Sequence, residues 1–200
     1  MSLNPEDHEF DQVLTDLYTA KQYTECVVAC KEKLKEKPLN LQALLYMADI
    51  SLEKHELDDC IHYCDTIIRG VDERIFYVWC WRGQALCLQT KYDEAVDSFE
   101  QSFKYNPAHS DTWSFLALTL FVQDKKAVAI QMLDMVEEKI AELKGCFTIA
   151  RGYIERADGN RDEALMQFIQ GSMTMDPTSK DYEENKEVFA TEVRKTLDKE

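Results

Sequence analysis

Four cysteines stand at a spacing that could build a metal site. Cys26 and Cys30 are one helical turn apart, and the pair recurs 34 residues later as Cys60 and Cys64. Zinc would need all four sulfurs about 2.3 Å from one centre. Equivalent positions of stacked helical hairpins are instead separated by a packing layer of about 8–10 Å. Buried cysteine also behaves as a small hydrophobic residue. We therefore expect these thiols to fill a core, with no metal or other cofactor bound.

The other residues that could do chemistry do not form a catalytic pattern. Three of the four histidines, His8, His55, His62 and His109, fall near the turns or ends of predicted helices. The sequence has no Ser-His-Asp ordering, nucleophile elbow or glycine-rich phosphate loop. Its many carboxylates are typical of solvated helix faces. We expect no enzymatic activity. A metal-dependent or thiol enzyme is the alternative, and metal analysis of the purified protein would test it.

The composition is that of a helical and strongly acidic globular protein. Apolar residues make up 45% of the 200 residues, and only four prolines and six glycines interrupt the chain. Long helices are therefore expected. A formal net charge of −15 disfavours nucleic acids and anionic membrane surfaces and favours basic partners.

The sequence also bears on the compartment. No segment approaches the roughly 20 continuous apolar residues that a membrane span needs. The polar and acidic residues 1–10 argue against a signal peptide. The seven cysteines are an odd number, without the close pairs of small secreted scaffolds. We expect reduced thiols, and therefore the cytoplasm or the nucleus.

The predicted helices follow a repeat that is clearest between residues 76 and 107. Trp79 is followed after four residues by Gly83, after twelve more by Ala95, after four by Phe99 and after eight by Pro107. These residues and spacings resemble the tetratricopeptide repeat, a helix–turn–helix unit of 34 residues. Small residues at Gly83 and Ala95 let the two helices approach, while Trp79 and Phe99 fill the space around them. Pro107 cannot continue a helix and helps to end the second one.

The same spacing recurs along the chain and defines its organisation. Shifts of about 34 residues give five hairpins, and a charged segment with an apolar stripe then suits a capping helix. The resemblance implies an all-α fold, a right-handed α-α superhelix of five hairpins plus this capping helix, in a single domain. The predicted repeats are about 7–40, 41–75, 76–109, 110–144 and 145–178, with the capping helix at about 181–199.

The resemblance also implies where a partner binds. In the family, the first helix of each hairpin lines a concave groove with the side chains opposite the hairpin's own core. Mapped onto this sequence, the groove is apolar and aromatic in the middle, with acidic residues near its N-terminal end. The predicted site residues are Tyr18, Leu45, Asp49, Leu52, Tyr77, Gln84, Leu88, Leu118, Phe121 and Tyr153. The same mapping includes Asp11, Thr15, Cys80, Ser114, Ile149 and Arg156.

These residues narrow the kind of partner. Family members that hold acidic chaperone C-termini use lysines, an arginine and asparagines on this face. The corresponding positions of this chain carry Asp11, Thr15, Asp49, Cys80 and Ser114. Acidic chaperone tails are therefore not expected to bind. An apolar or amphipathic peptide or helix with basic flanks fits better. We predict a non-enzymatic scaffold or adaptor, a subunit of a multiprotein assembly. The alternatives are a homo-oligomer, such as a homodimer, formed through the groove or a terminal repeat, and internal packing of the apolar residues.

Overall fold

The structure is built from α-helices of nearly equal length. The computed structural model describes residues 5–139, 144–160, 163–164, 166–167 and 170–171. All regular structure in these residues is helical, which confirms the predicted all-α class. The capping helix predicted at about 181–199 lies outside the described residues. The complete helices are α1 (Pro5–Thr19), α2 (Tyr23–Glu36), α3 (Leu41–Glu53), α4 (Leu57–Gly70), α5 (Phe76–Leu88), α6 (Tyr92–Tyr105), α7 (Ser110–Val122), α8 (Lys126–Lys139) and α9 (Lys144–Ala157).

Turns of one geometry join these helices into hairpins. In each turn the residue after the one with positive φ donates its N–H to a carbonyl five residues back, as Lys91 does to Leu86 at 2.9 Å. The carbonyl of Lys91 then accepts from the N–H of Ala95 at 3.0 Å, at the start of the next helix. This closure satisfies carbonyls that a helix end would leave unpaired. The residues with positive φ are Lys21, His55, Thr90, Asp124 and Gly159, at intervals of 34 or 35 residues.

Small residues permit close packing inside the hairpins. A Cβ atom added to Gly83 would lie 2.5 Å from Cε1 of Phe99, so only glycine fits beside that ring without a shift. Phe99 and Ala95 are completely buried, as the spacing predicts. The four cysteines considered for zinc occupy the equivalent core positions of the first two hairpins and are also completely buried, namely Cys26, Cys30, Cys60 and Cys64.

The described residues fall into two compact units, one ending at Tyr105 and the other beginning at Asn106. In the first unit α2 packs on α3 and α4 on α5, and in the second α8 packs on α9. Arg82 of α5 donates to Asp65 of α4 at 2.8 Å, and Arg151 of α9 donates to Glu137 of α8 at 2.6 Å. The two arginines hold the same position in their repeats, each eight residues before its turn residue with positive φ. The limits of the repeats given above stay a prediction.

Candidate functional site

The predicted site residues lie on the first helices of the hairpins, which are neighbours within each unit. In the first unit α1 contacts α3 and α3 contacts α5, and in the second α7 contacts α9. The packing therefore brings residues from different hairpins side by side. We call the predicted site residues on these helices the first-helix face: Tyr18, Leu45, Asp49, Leu52, Tyr77, Gln84 and Leu88 in the first unit, and Leu118, Phe121 and Tyr153 in the second.

A polar and aromatic cluster occupies the seam between α1 and α3. The phenol of Tyr18 donates a hydrogen bond to Oδ2 of Asp49 at 2.6 Å. One helical turn away, the hydroxyls of Thr15 and Tyr46 share a hydrogen bond of 3.1 Å. The Tyr18 ring lies 5.2 Å from the ring of Tyr46 and 5.5 Å from that of Tyr23, tilted in both cases. Two predicted site residues, Tyr18 and Asp49, are thus in direct contact.

The environment of this seam disfavours charge on both partners. Burial raises the pKa of Asp49, and the nearby carboxylate of Glu53 adds to the effect, while the hydrogen bond from Tyr18 acts in the opposite direction. The pKa of Tyr18 is raised by burial and by its bond to Asp49, so the phenol remains a donor at neutral pH. Among the described residues, no lysine or arginine forms an ion pair with Asp49 or Glu53.

The remainder of the first-unit face is apolar and only partly covered. Leu45, Leu52 and Tyr77 are half-buried against a core cluster of α3, α4 and α5. The rings of Tyr77 and Trp81 lie in an edge-on arrangement at a centroid distance of 5.0 Å. Leu88, at the end of α5, exposes 53% of its surface.

Cys80, one of the residues that the sequence mapped to the groove, lies beneath the surface. Cys80 is buried, with 1% of its surface exposed. The side-chain amide of Gln84, a predicted site residue, donates to the Cys80 sulfur at 3.3 Å. The groove position of α5 therefore presents the amide of Gln84, and the thiol belongs to the interior.

The second unit contributes a smaller aromatic and aliphatic surface. Leu118 and Phe121 are half-buried against a core cluster that includes Phe147. The ring of Tyr153 lies 5.5 Å from the guanidinium carbon of Arg156, a cation–π distance. Part of the side-chain area of Leu118 and Phe121 thus stabilises the hairpins themselves.

Cys30 and Cys64 lack the properties of reactive or metal-binding thiols. The pKa of Cys30 is raised by burial, and that of Cys64 by its hydrogen bond with Cys60 and by burial. Thiols with raised pKa stay protonated at neutral pH, whereas nucleophiles and metal ligands need the thiolate. Within the described part of the chain, no three histidine, cysteine or acidic side chains are arranged to hold a metal ion.

Two aromatic residues that contact the first-helix face were missed by the sequence mapping. Tyr46 joins the seam cluster and Trp81 packs against Tyr77. Both stand nine residues before the positive-φ residue of their turn, at one position of the repeat. The recurrence of an aromatic ring at this position was the signal in the sequence that could have identified them.

The described helices include none that is both long and apolar enough to cross a membrane. A comparison of the sequence with curated proteins gave no match. Residues 76–109 match the family described as Tetratricopeptide repeat. Such repeats are generally protein-interaction modules and are typically not catalytic.

Solved structures of similar fold cover most of the chain. TTC0263, a thermophilic tetratricopeptide-repeat protein of Thermus thermophilus, superimposes with a TM-score of 0.71 at 16% identity, over 95% of this chain and 98% of that one. The pilF protein of Pseudomonas aeruginosa gives 0.66 at 12% identity, over 96% and 92% of the two chains. MamA gives 0.62 at 17% identity, over 87% and 96%. Similarity at such identities shows the fold alone. The chain therefore contains a tetratricopeptide repeat at residues 76–109 and has the fold of these solved structures.

Proposed function

We propose that the protein is a non-enzymatic docking scaffold or adaptor, whose first-helix face binds an apolar or amphipathic segment of another protein with basic flanking residues. The observation that carries this proposal is the composition of that face in the first unit. Half-buried Tyr77 and Leu52 and exposed Leu88 share it with Asp49, a carboxylate without an ion-pair partner among the described residues. A segment with apolar and basic side chains complements both features.

The charge of the whole protein supports the same kind of partner. A formal net charge of −15 attracts basic segments and repels acidic ones, so acidic chaperone tails remain poor candidates. Buried free thiols, such as Cys26 and Cys60, suit a reducing compartment. We propose the cytoplasm or the nucleus, with the protein acting as a subunit of a larger assembly.

Binding of short amphipathic peptides tests this proposal. The probe is a library of synthetic peptides with leucine at the apolar positions and lysine or arginine at the polar ones, measured by fluorescence anisotropy against the whole chain. Leu88→Asp should weaken binding at least tenfold, because it places a charge in the contact. Val28→Asp is the matched control, since Val28 is 57% exposed and belongs to α2, a second helix of its hairpin. Equal binding by both variants would contradict the proposal.

A second variant examines the face in the second unit. Leu118→Asp combined with Phe121→Asp should abolish peptide binding at that unit while far-UV circular dichroism stays unchanged. Because both side chains also pack on the core, a loss of helicity would assign them to internal packing. Only the Leu88→Asp variant would then test the proposal.

Self-association through the same face is the competing function. Sedimentation velocity from low to high micromolar concentration distinguishes it from peptide docking. A constant sedimentation coefficient supports docking of other proteins. A coefficient that rises with concentration, and that Leu88→Asp holds constant, would make the face a homodimer interface.

A further inference from the structure

We propose that the seam between α1 and α3 binds one basic side chain, a lysine or an arginine, of the docked protein segment. The site consists of Tyr18, Tyr46, Asp49 and Glu53, and we call it the Asp49 site. This inference rests on the proposed function and specifies its chemistry: the seam is the point at which a basic residue of the segment is recognised.

The geometry of the seam suits a cation. Asp49 accepts the Tyr18 phenol through Oδ2 at 2.6 Å, and a carboxylate has further acceptor positions beyond this single bond. The tilted rings of Tyr18 and Tyr46, 5.2 Å apart, add aromatic surface next to the carboxylate. A lysine ammonium or an arginine guanidinium can hydrogen-bond the carboxylate and contact the ring faces at the same time.

Within the described part of the chain, the carboxylates of the seam have no lysine or arginine as a counterion. Asp49 and Glu53 take part in none of the ion pairs of the described residues. Two other half-buried carboxylates are paired, Asp65 with Arg82 at 2.8 Å and Glu155 with Lys126 at 2.9 Å. The raised pKa of Asp49 agrees with a carboxylate that burial has deprived of water and that no cation compensates. An incoming basic side chain would supply that compensation.

The repeat itself shows that the fold does not require a carboxylate at this position. Asp49 stands six residues before its turn residue His55, which has positive φ. The other four hairpins have a polar, an aliphatic or an aromatic residue there and form the same turn. These residues are Thr15, Gln84, Leu118 and Tyr153. The acidic residue is therefore a local specialisation of the second hairpin, at the point where α1 supplies Tyr18.

Paired peptide libraries test this inference. One library has lysine or arginine at its polar positions, and the other has glutamine at the same positions. The basic library should bind the whole chain about tenfold more tightly, a difference of about 1.4 kcal/mol. Asp49→Asn should remove most of this preference and leave the affinity for the glutamine library unchanged. The matched control is Asp97→Asn on α6. Asp97 is exposed, and its replacement changes the net charge by the same amount as Asp49→Asn.

The outcomes separate the inference from the proposed function. Loss of the preference in Asp49→Asn but not in Asp97→Asn supports the Asp49 site. A preference that survives in Asp49→Asn, or that falls equally in both variants, overturns it, because the attraction then comes from the overall charge. If both libraries bind equally and Leu88→Asp weakens both, docking stands and the Asp49 site fails. If neither library binds, both proposals fail.

Discussion

In the folded protein, Asp49 lies in an environment that disfavours its charged form. The side chain is partly withdrawn from water, it accepts a hydrogen bond from the neutral phenol of Tyr18, and Glu53 adds a second negative charge nearby. A residue that folding disfavours in this way is a candidate for a functional role, because stability alone would favour a neutral side chain.

The first prediction is that Asp49→Asn stabilises the protein at neutral pH. Because its pKa is raised on folding, Asp49 contributes stability that is fully present below the unfolded pKa of about 3.9 and is lost as pH rises through the folded value. Asparagine keeps the acceptor for Tyr18 and cannot ionise. The melting temperature of the variant should therefore match the parent near pH 3.5 and exceed it by a few degrees at pH 7. Thermal unfolding followed by circular dichroism measures this, and a lower value at pH 7 would contradict it.

The second prediction concerns backbone strain at Thr90. This β-branched residue has φ of 62° in the turn between α5 and α6, a region that non-glycine residues enter at a cost of about 1 kcal/mol or more. Asparagine tolerates this conformation better. Thr90→Asn should thus raise the free energy of unfolding by about 0.5–1 kcal/mol.

Gly159 provides the reciprocal control for Thr90. It holds the equivalent turn position with φ of 89°, and an added Cβ would meet nothing within 4 Å. Gly159→Ala should therefore destabilise the protein by about 1 kcal/mol through the backbone alone. Urea unfolding measures both variants. If Thr90→Asn lost stability, strain in this turn would not be the determining factor.

At the scale of elements, the α5–α6 hairpin depends on the absence of a side chain at Gly83. Gly83→Ala should lower stability although alanine favours helix by about 1 kcal/mol over glycine, because its Cβ would lie 2.5 Å from the buried Phe99 ring. Gly70→Ala is the matched control. There the added Cβ meets Leu39 at 3.0 Å, a side chain that is 53% exposed and free to move aside. Chemical unfolding should show a loss for the first variant and none for the second, and equal effects would contradict the packing described here.

The sequence predicted the elements better than the contacts between them. The spacing of Gly83, Ala95 and Phe99 was sufficient to place the hairpin, because small and large residues must face each other where two helices meet. It assigned Trp79 to filling space, whereas the indole Nε1 also donates to the carbonyl of Glu73 at 2.7 Å. Trp113 makes the same contact with Pro107 at 2.8 Å. A helical period identifies a face, but the path of the preceding loop decides which carbonyl lies within reach.

For the candidate site, too, the sequence predicted the helices that carry the residues better than the contacts between those residues. The repeat placed Tyr18 and Asp49 on first helices, but their hydrogen bond joins residues 31 positions apart. Such a pair depends on how far α3 is shifted along α1, and that shift is set by all the side chains between the two helices. The sequence mapping also assigned Cys80 to the surface, because a thiol has no polarity strong enough to indicate whether it faces water or the core.

At the scale of the whole molecule, the net charge of −15 has opposite effects on the two candidate functions, docking of a basic segment and self-association. A basic segment is attracted to the protein over a distance comparable to the Debye length, about 10 Å at 0.1 M salt and 3 Å at 1 M. Two copies of the protein repel each other over the same distance. Salt therefore weakens the binding of a basic segment and strengthens the association of two copies.

The last prediction follows from this opposition. Raising the salt concentration from about 0.05 M to about 0.5 M should weaken binding of the basic peptide library roughly tenfold and change binding of the glutamine library little. Fluorescence anisotropy measures both affinities, and sedimentation velocity on the same samples reports self-association. Docking of basic segments requires the affinity to fall while the sedimentation coefficient stays constant. A coefficient that rises with salt, together with a peptide affinity that does not change, would mean that the apolar side chains of the first-helix face meet a second copy of this chain.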